Sequence, residues 1–334
     1  MGKQPRSNGA AGCGLLLLLA LLVSFARPCQ SSLYHPAPPV VAYHHGAVLD
    51  GAVPVSVLYY GAFSPHQKAV VADFLLSLSP RGGRQSRFGA PGPAPPPSVS
   101  RWWETVDRYV RKAGREPPRV LLASQVSDEA CSLGKYLSRV GVERLAARLG
   151  VAPGGVAVVL TAADVGVEGL CSSACGAHGA ATPGGATHVW VGNAAVQCPG
   201  RCAWPFHPAE GFAYGAGHGH ARGSGSGSGR GETLRAPNGD VGVDGMVINL
   251  AALLSGAVTN PYGHGYFQGD PGAPVEVAAA CPGVYGRGAY PGYPGAVRLD
   301  MATGAGYNVV GRNGRKYLVP ALVDPDNYSC IIMV

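Results

Sequence analysis

Four cysteines in the middle of the chain are spaced in a way that permits either metal binding or disulfide formation. They form two pairs with three residues inside each pair: Cys171 and Cys175, and Cys198 and Cys202. Together with His178 or His207 they could hold a metal ion. Structural zinc more often uses closer Cys-x2-Cys pairs, and an exported chain oxidises its cysteines. The spacing therefore favours disulfides, and a metal site is the alternative.

Acidic residues between positions 240 and 276 are the candidates for metal binding or acid–base chemistry. Asp240, Asp244 and Asp270 each lie beside a glycine, which is typical of helix caps and turns. A calcium site would need six or more oxygen ligands. Glu276 alone is a poor zinc site. Paired catalytic carboxylates stay open, because their separation depends on the fold.

The elements that would position these residues alternate between strands and helices. Ser64-Pro65-His66-Gln67 predicts a capped helix start, and Ser98 predicts another. The other predicted elements are strands at Val53–Tyr60, Val120–Ala123, Val156–Thr161 and Thr187–Gly192, a helix at Leu133–Leu149 and a buried helix at Val243–Val258. This alternation predicts an α/β fold in a single compact domain. The last third, rich in Gly, Pro and Tyr, is predicted to be irregular or to form short strands.

The N-terminus predicts export. Lys3 and Arg6 precede an apolar run from Leu15 to Val23 and the small-x-small site Ser24-Phe25-Ala26. That order is typical of a cleaved signal peptide, here residues 1–26. The apolar run is too short to span a bilayer comfortably. No membrane span is therefore expected after cleavage, and the protein is predicted to be secreted.

The rest of the chain divides by composition. Residues 27–45 are predicted to form an extended leader, residues 46–334 the domain, and 80–97 and 215–231 flexible insert loops. Gly223–Gly227 matches a Gly-x-Ser-x-Gly hydrolase pattern, but a Gly/Ser tract lacks the strand and helix that this site needs. The net charge of +7 falls to +5 without Lys3 and Arg6. This excess is too small and scattered to indicate nucleic-acid binding.

Eight cysteines remain after cleavage at Ala26, an even number that predicts disulfides in an oxidising compartment. Cys281 is predicted to pair with Cys330, because both lie in the C-terminal third. Cys29 and Cys131 are either free or paired with each other. Asn327-Tyr328-Ser329 is a glycosylation sequon, although Cys330 follows it directly and the C-terminus is near.

Several separated motifs together resemble one protein family. They are Gly166–Gly179, Val189–Asn193, Gln197–Phe206, Ala236–Met246, Gly288–Gly295 and Gly314–Pro320. In this order they resemble the plant EXORDIUM / phosphate-induced protein family over nearly the whole mature chain. The resemblance includes six cysteines: Cys171, Cys175, Cys198, Cys202, Cys281 and Cys330. It implies a zincin-like layer of sheet and helices, followed by a signature helix and an irregular, disulfide-linked C-terminal part.

The signature helix departs from a pattern found in some relatives. Those relatives read His-Glu-Leu-Ala-Glu, a zincin-type metal-binding pattern, where this chain has Ala252-Leu253-Leu254-Ser255-Gly256. Ala, Leu and Gly can neither bind a metal nor transfer a proton. Ala252, Leu253, Gly256 and the downstream Glu276 are thus expected to be remnant positions. We expect no catalytic residue, no bound metal and no cofactor.

The resemblance implies a secreted, non-catalytic protein of the apoplast or cell wall. It would promote or modulate cell expansion and growth linked to brassinosteroid or carbon status. The alternative is a secreted hydrolase, either a divergent metallopeptidase or a wall-glycan enzyme. The expected partners are wall polysaccharide or an apoplastic or receptor protein. Tyr290 and Tyr293, flanked by glycines and prolines, are the candidate binding surface.

Overall fold

The structure is a computed structural model that describes Gly2 and residues 38–79, 97–207 and 233–334. The chain divides into two units, Met1–Ala37 and Pro38–Val334, and the second contains the elements described below. The predicted signal peptide, the insert loop at 215–231 and nearly all of the loop at 80–97 lie outside the described residues. The helices are α1 (Pro65–Leu78), α2 (Val99–Lys112), α3 (Arg139–Arg148), α4 (Pro199–Cys202) and α5 (Val241–Thr259). The strands are β1 (Ala42–Tyr43), β2 (Ala52–Tyr60), β3 (Arg119–Asp128), β4 (Tyr136–Leu137), β5 (Val156–Thr161), β6 (Gly166–Val167), β7 (Gly176–Ala180), β8 (Thr187–Gly192), β9 (Tyr266–Phe267), β10 (Arg298–Leu299), β11 (Gly306–Tyr307), β12 (Val309–Val310), β13 (Lys316–Tyr317), β14 (Leu322–Val323) and β15 (Cys330–Ile331).

A five-stranded sheet in the order β3-β2-β5-β8-β7 forms the centre of the fold. Strands β3, β2, β5 and β8 run parallel, and β7 runs antiparallel to β8 at the edge. Every residue of β5 is buried, as expected for a parallel strand covered on both faces. Helices α1, α2 and α5 pack together, and α3 packs against β5 and β8. The mixed α/β class predicted from the sequence is confirmed.

The first two helices begin at the predicted residues. The Ser64 side chain accepts a hydrogen bond from the Gln67 backbone, and the Gln67 side chain bonds back to the Ser64 N–H. Ser98 caps α2 by accepting from the Arg101 N–H. Both caps satisfy amide groups that would otherwise lack partners in the first helical turn. Helix α2 then buries its apolar face, including Trp102 and Val106.

The helix predicted at Leu133–Leu149 is wrong in its first part. Gly134 adopts φ +84°, and the chain then forms β4, which pairs with β6. The helix begins only at Arg139, because Ser138 caps it by accepting from the Gly141 N–H. Strand β3 is longer than predicted and runs on to Asp128, with exposed side chains along its second half.

Helix α5 runs through the core. Asp240 caps it by accepting from the Val243 N–H, 3.0 Å away. It is buried nearly all round, which explains why its apolar residues are not confined to one face. By length and composition, α5 is the one helix among the described residues that could span a membrane. However, 78% of its most apolar 18-residue stretch is buried inside the protein. Burial of this kind is typical of a core helix.

Short strands and disulfides form the C-terminal third. In this part of the chain Cys281 bonds to Cys330, which is the predicted pairing. Two further disulfides, Cys171–Cys198 and Cys175–Cys202, lie in the middle of the chain. Cys131 is a buried free thiol, and Cys29 lies outside the described residues. The end of the chain packs against α2, where the Trp102 Nε1 donates to the Pro320 carbonyl at 2.8 Å. The end of the predicted leader also joins the fold, because β1 pairs with β9.

Candidate functional site

A cleft of about 460 Å³ lies beside edge strand β7. Four consecutive residues of that strand, 177–180, form one side of it. Leu253 of α5 and Asn260 at the end of α5 lie next to them. The remaining lining residues are Pro183, Pro261, Tyr262, Gly263, Pro274 and Glu276. The cleft therefore joins the edge of the sheet to the C-terminal end of the core helix.

A histidine–glutamate pair occupies this cleft. His178 Nε2 lies 2.7 Å from Glu276 Oε2, and the side chains are 11% and 15% exposed. A carboxylate only accepts hydrogen bonds. The Nε2 atom of His178 is therefore protonated, and its N–H donates a hydrogen bond to Glu276 Oε2. His178 Nδ1 is buried and has no hydrogen-bond partner within the described part of the chain. The two residues are 98 positions apart, so the fold alone brings them together.

Asn260 fixes the other oxygen of the carboxylate. It follows the last residue of α5, and its N–H donates to the Gly256 carbonyl at 2.7 Å. Its side-chain Nδ2 donates to Glu276 Oε1 at 2.8 Å, while its Oδ1 accepts from the Gly265 N–H at 2.7 Å. Pro261 follows directly and cannot continue the helix. Asn260 thus ends α5 through its backbone N–H and holds the Glu276 carboxylate through its side-chain amide.

Gly256 allows this arrangement. A Cβ at this position would overlap Glu276 Oε2 and lie 2.8 Å from His178 Nε2. Real Cβ atoms do not approach other atoms so closely. The absence of a side chain on this turn of α5 is thus what leaves room for the pair.

The structure brings most of the predicted remnant positions together. Leu253 and Glu276 line the cleft, and Gly256 lies directly behind the carboxylate. Ala252 is half-buried against the core and does not line the cleft. From the sequence, His178 is predicted only as a possible metal ligand, and Asn260 is missed. The Asn-Pro step after an apolar helix is a signal for a helix end, but it does not indicate a partner for Glu276.

Whether the described residues could form a metal centre depends on their His, Cys, Asp and Glu side chains. No group of three or more His, Cys, Asp or Glu side chains able to hold a metal ion occurs in residues 38–79, 97–207 and 233–334. His178 and Glu276 supply two side chains of this kind, and a catalytic zinc needs three protein ligands. Asp240 caps α5, and Asp270 Oδ1 accepts from the Gly272 N–H at 2.6 Å in a turn.

Half-buried His188, next to the site, and buried Asp244, at the far end of α5, have shifted pKa values. Burial lowers the pKa of His188, which lies on β8 opposite Gly179, and Glu143 opposes that shift. Burial raises the pKa of Asp244 to about 7, even though it accepts hydrogen bonds from the Asn238 N–H and side chain. Asp244 lies in the first turn of α5, so it affects the helix rather than the cleft.

Tyr290 and Tyr293 lie elsewhere, at the tip of a hairpin. Their backbones exchange two hydrogen bonds around Pro291 and Gly292, and Gly292 adopts φ +89°, which suits a type II turn. Tyr290 is 64% exposed. The two ring centroids are 5.1 Å apart, so the turn presents a pair of aromatic rings at the surface.

The fold and the cleft define a class of protein. It is a disulfide-linked α/β protein whose core helix ends at a histidine–glutamate pair beside the edge strand β7 of the central sheet. A family model described as the phosphate-induced protein 1 conserved region matches residues 41–333. The chain belongs to this family.

Curated relatives match over most of their length. The chain is 43% identical to Protein PHOSPHATE-INDUCED 1 of Nicotiana tabacum, covering 96% of this chain and 98% of that protein. It is 44% identical to Protein EXORDIUM of Arabidopsis thaliana, covering 88% and 90% respectively. It is 45% identical to Protein EXORDIUM-like 1 of Arabidopsis thaliana, covering 96% and 97%. No solved structure matches the chain.

Proposed function

We propose that this protein is a secreted, non-catalytic member of the EXORDIUM family that acts in the apoplast or cell wall. There it promotes or modulates cell expansion and growth, linked to brassinosteroid or carbon status. The family membership, the N-terminal sequence and the three disulfides support export, because disulfides persist in oxidising compartments.

The non-catalytic proposal rests mainly on one observation. Gly256 of α5 packs directly against the His178–Glu276 pair, with no space for a side chain between them. In the zincin-like interpretation, α5 would supply two metal ligands and the general base. It offers Ala252, Leu253 and Gly256 instead, and a longer side chain at Gly256 would displace the His178–Glu276 pair. A catalytic zinc needs three protein ligands and an open position for water. The residues here do not supply that set.

A secreted hydrolase is the second candidate, and the His178–Glu276 pair favours it. A histidine held by a carboxylate is a common general base. However, none of the described residues that line the cleft is Ser, Thr or Cys, and the free nitrogen of His178 is buried. Both observations favour the non-catalytic proposal.

Metal analysis and a peptidase assay separate these two candidates. We expect no stoichiometric zinc in the purified secreted protein and no chelator-sensitive proteolysis. Stoichiometric zinc, or proteolysis that disappears in Glu276→Gln, would favour the hydrolase. Growth-related activity that persists in Glu276→Gln would support the non-catalytic proposal.

The aromatic hairpin is the proposed glycan-binding surface. Two tyrosine rings held at a rigid turn can stack on the apolar faces of sugar rings. We expect Tyr290→Ala together with Tyr293→Ala to abolish retention of the protein on pectin and xyloglucan in affinity electrophoresis. Tyr136→Ala is the matched control, because Tyr136 is also an exposed tyrosine, at 72%. Equal retention of all three proteins would contradict the assignment.

A further inference from the structure

The outer edge of β7 has hydrogen-bonding groups that no other strand of the described chain uses. Gly192 N–H donates to the Cys175 carbonyl, and Thr187 N–H points the other way, to Gly155. Because backbone groups alternate sides along an antiparallel pair, residues 177 and 179 face β8. Gly176, His178 and Ala180 then direct their N–H and C=O groups away from the sheet. No described hydrogen bond occupies these outward groups.

Within residues 38–79, 97–207 and 233–334, no strand pairs with this edge, and the strand itself carries none of the usual protection against strand addition. Proteins guard exposed edges with Pro, Lys, bulges or a covering element. Strand β7 reads Gly-Ala-His-Gly-Ala, pairs without a register shift and lines an open cleft. Its small side chains leave room over the backbone. Pro183 and Pro274 border the same cleft, so the edge is recessed and admits a single extended chain more readily than a second folded sheet.

The charge of the cleft favours a basic side chain. Glu276 is the acidic residue among the described lining residues, and no Lys or Arg lines the cleft. Each carboxylate oxygen has two acceptor positions, and Asn260 and His178 use one on each oxygen. A residue paired opposite His178 on an added strand points its side chain to the same face as His178, toward Glu276.

We propose that the β7 edge binds an extended peptide by strand addition, with a Lys or Arg side chain paired to Glu276. Main-chain hydrogen bonds to His178 and Ala180 supply the affinity, and the carboxylate supplies selectivity. This site is separate from the aromatic hairpin and does not depend on glycan binding there.

The test uses the full mature protein and defined probes. The probes are acetylated, amidated peptides of alternating Thr and Val with a central Lys, norleucine or Glu, with binding measured by fluorescence anisotropy up to about 1 mM. Hydrogen exchange reports the amides of β7. We expect the His178 and Ala180 amides to exchange faster than those of residues 177 and 179 in the free protein, and to become protected by the Lys peptide.

Two variants separate the backbone from the charge. Ala180→Pro removes one outward N–H, which an edge strand tolerates, and should weaken binding of the Lys and norleucine peptides by about tenfold or more. Ala180→Ser keeps the N–H and should bind as the wild type does. Glu276→Gln should remove an about tenfold preference for Lys over norleucine, which is read as the ratio of the two affinities measured on the same variant.

Several results would overturn the proposal. They are no protection of β7 by any probe, unchanged binding by Ala180→Pro, or equal binding of the Glu and Lys peptides. Protection of the β7 amides that rises with protein concentration in the absence of peptide would assign the edge to a second copy of this chain instead.

Discussion

Gly256 has a hydrogen atom in place of a side chain, and this allows close packing at the C-terminal end of α5. Ala is ordinarily the better helix former by about 1 kcal/mol. At this position the added methyl group would meet the ends of the Glu276 and His178 side chains. These ends are held by hydrogen bonds from His178 and Asn260 to the carboxylate, so moving them should cost about 1–3 kcal/mol. We therefore expect Gly256→Ala to lower the free energy of unfolding, measured by urea denaturation.

Gly141 provides the matched control. It also lies in a helix, α3, but a Cβ there would be 3.5 Å from its nearest neighbour, Ser138 Oγ. Gly141→Ala should leave the stability unchanged or raise it slightly. Equal stability of both variants would contradict the prediction that hydrogen bonds hold Glu276 and His178 in place against Gly256.

Asn327 is a second residue with a specific expectation. It is exposed, and its Oδ1 accepts hydrogen bonds from the Ser329 N–H and hydroxyl, at 3.1 and 2.5 Å. Its side-chain Nδ2 makes no hydrogen bond in the described structure. In a secreting eukaryotic host we expect a glycan at this residue, detected as a mass loss after enzymatic deglycosylation. Asn327→Gln and Ser329→Ala should lack it and Ser329→Thr should keep it; a glycan-free wild-type protein would contradict the prediction.

Elements with strong local signals were predicted well, and the element that forms the cleft was not. Strand β2 is rich in Val and Tyr, and Ser64 and Ser98 are helix caps in sequence and in structure. Strand β7 consists of Gly, Ala and one His, residues with little intrinsic preference for strands. It becomes a strand because β8 lies beside it. The His178–Glu276 contact depends on that pairing, so no local pattern could predict it.

The C-terminal third depends on its covalent link, because its strands have only two residues each. The Cys281–Cys330 disulfide closes a loop with a sequence separation of 49. In the entropy model, such a loop contributes about 3–4 kcal/mol. We expect the double variant Cys281→Ala, Cys330→Ala to lose this amount in urea unfolding. Cys131→Ala, which removes a thiol outside the described disulfides, should lose much less, and equal losses would contradict this role.

At the scale of the whole molecule, stability should rise as the solution becomes acidic. Burial raises the pKa of Asp244 to about 7, from 3.8 for an ordinary aspartate. The folded state therefore keeps a proton that the unfolded state releases. The stability from this proton is complete below the unfolded pKa and is lost as the pH rises through the folded pKa. Between about pH 7.5 and about pH 5 Asp244 should by itself add about 2–3 kcal/mol to the free energy of unfolding. His188 acts in the opposite direction, because burial lowers its pKa and its protonation on acidification favours the unfolded state.

Asp244→Asn is the control for this pH dependence. It cannot titrate, so its stability curve should be flatter over the same range. Asp107 contributes in the same direction, because burial raises its pKa to about 6. A wild-type protein that becomes less stable on acidification over this range would contradict the assignment of a protonated Asp244.

The contact between Trp102 and Pro320 has a consequence for biosynthesis. The two residues are 218 positions apart, and ribosomes add about 5–20 residues per second. Helix α2 therefore waits about 10–40 s for the segment that covers it. During that interval the Trp102 indole N–H lacks the Pro320 carbonyl that accepts its hydrogen bond in the folded protein. The native contact between α2 and the C-terminal segment therefore forms late in synthesis.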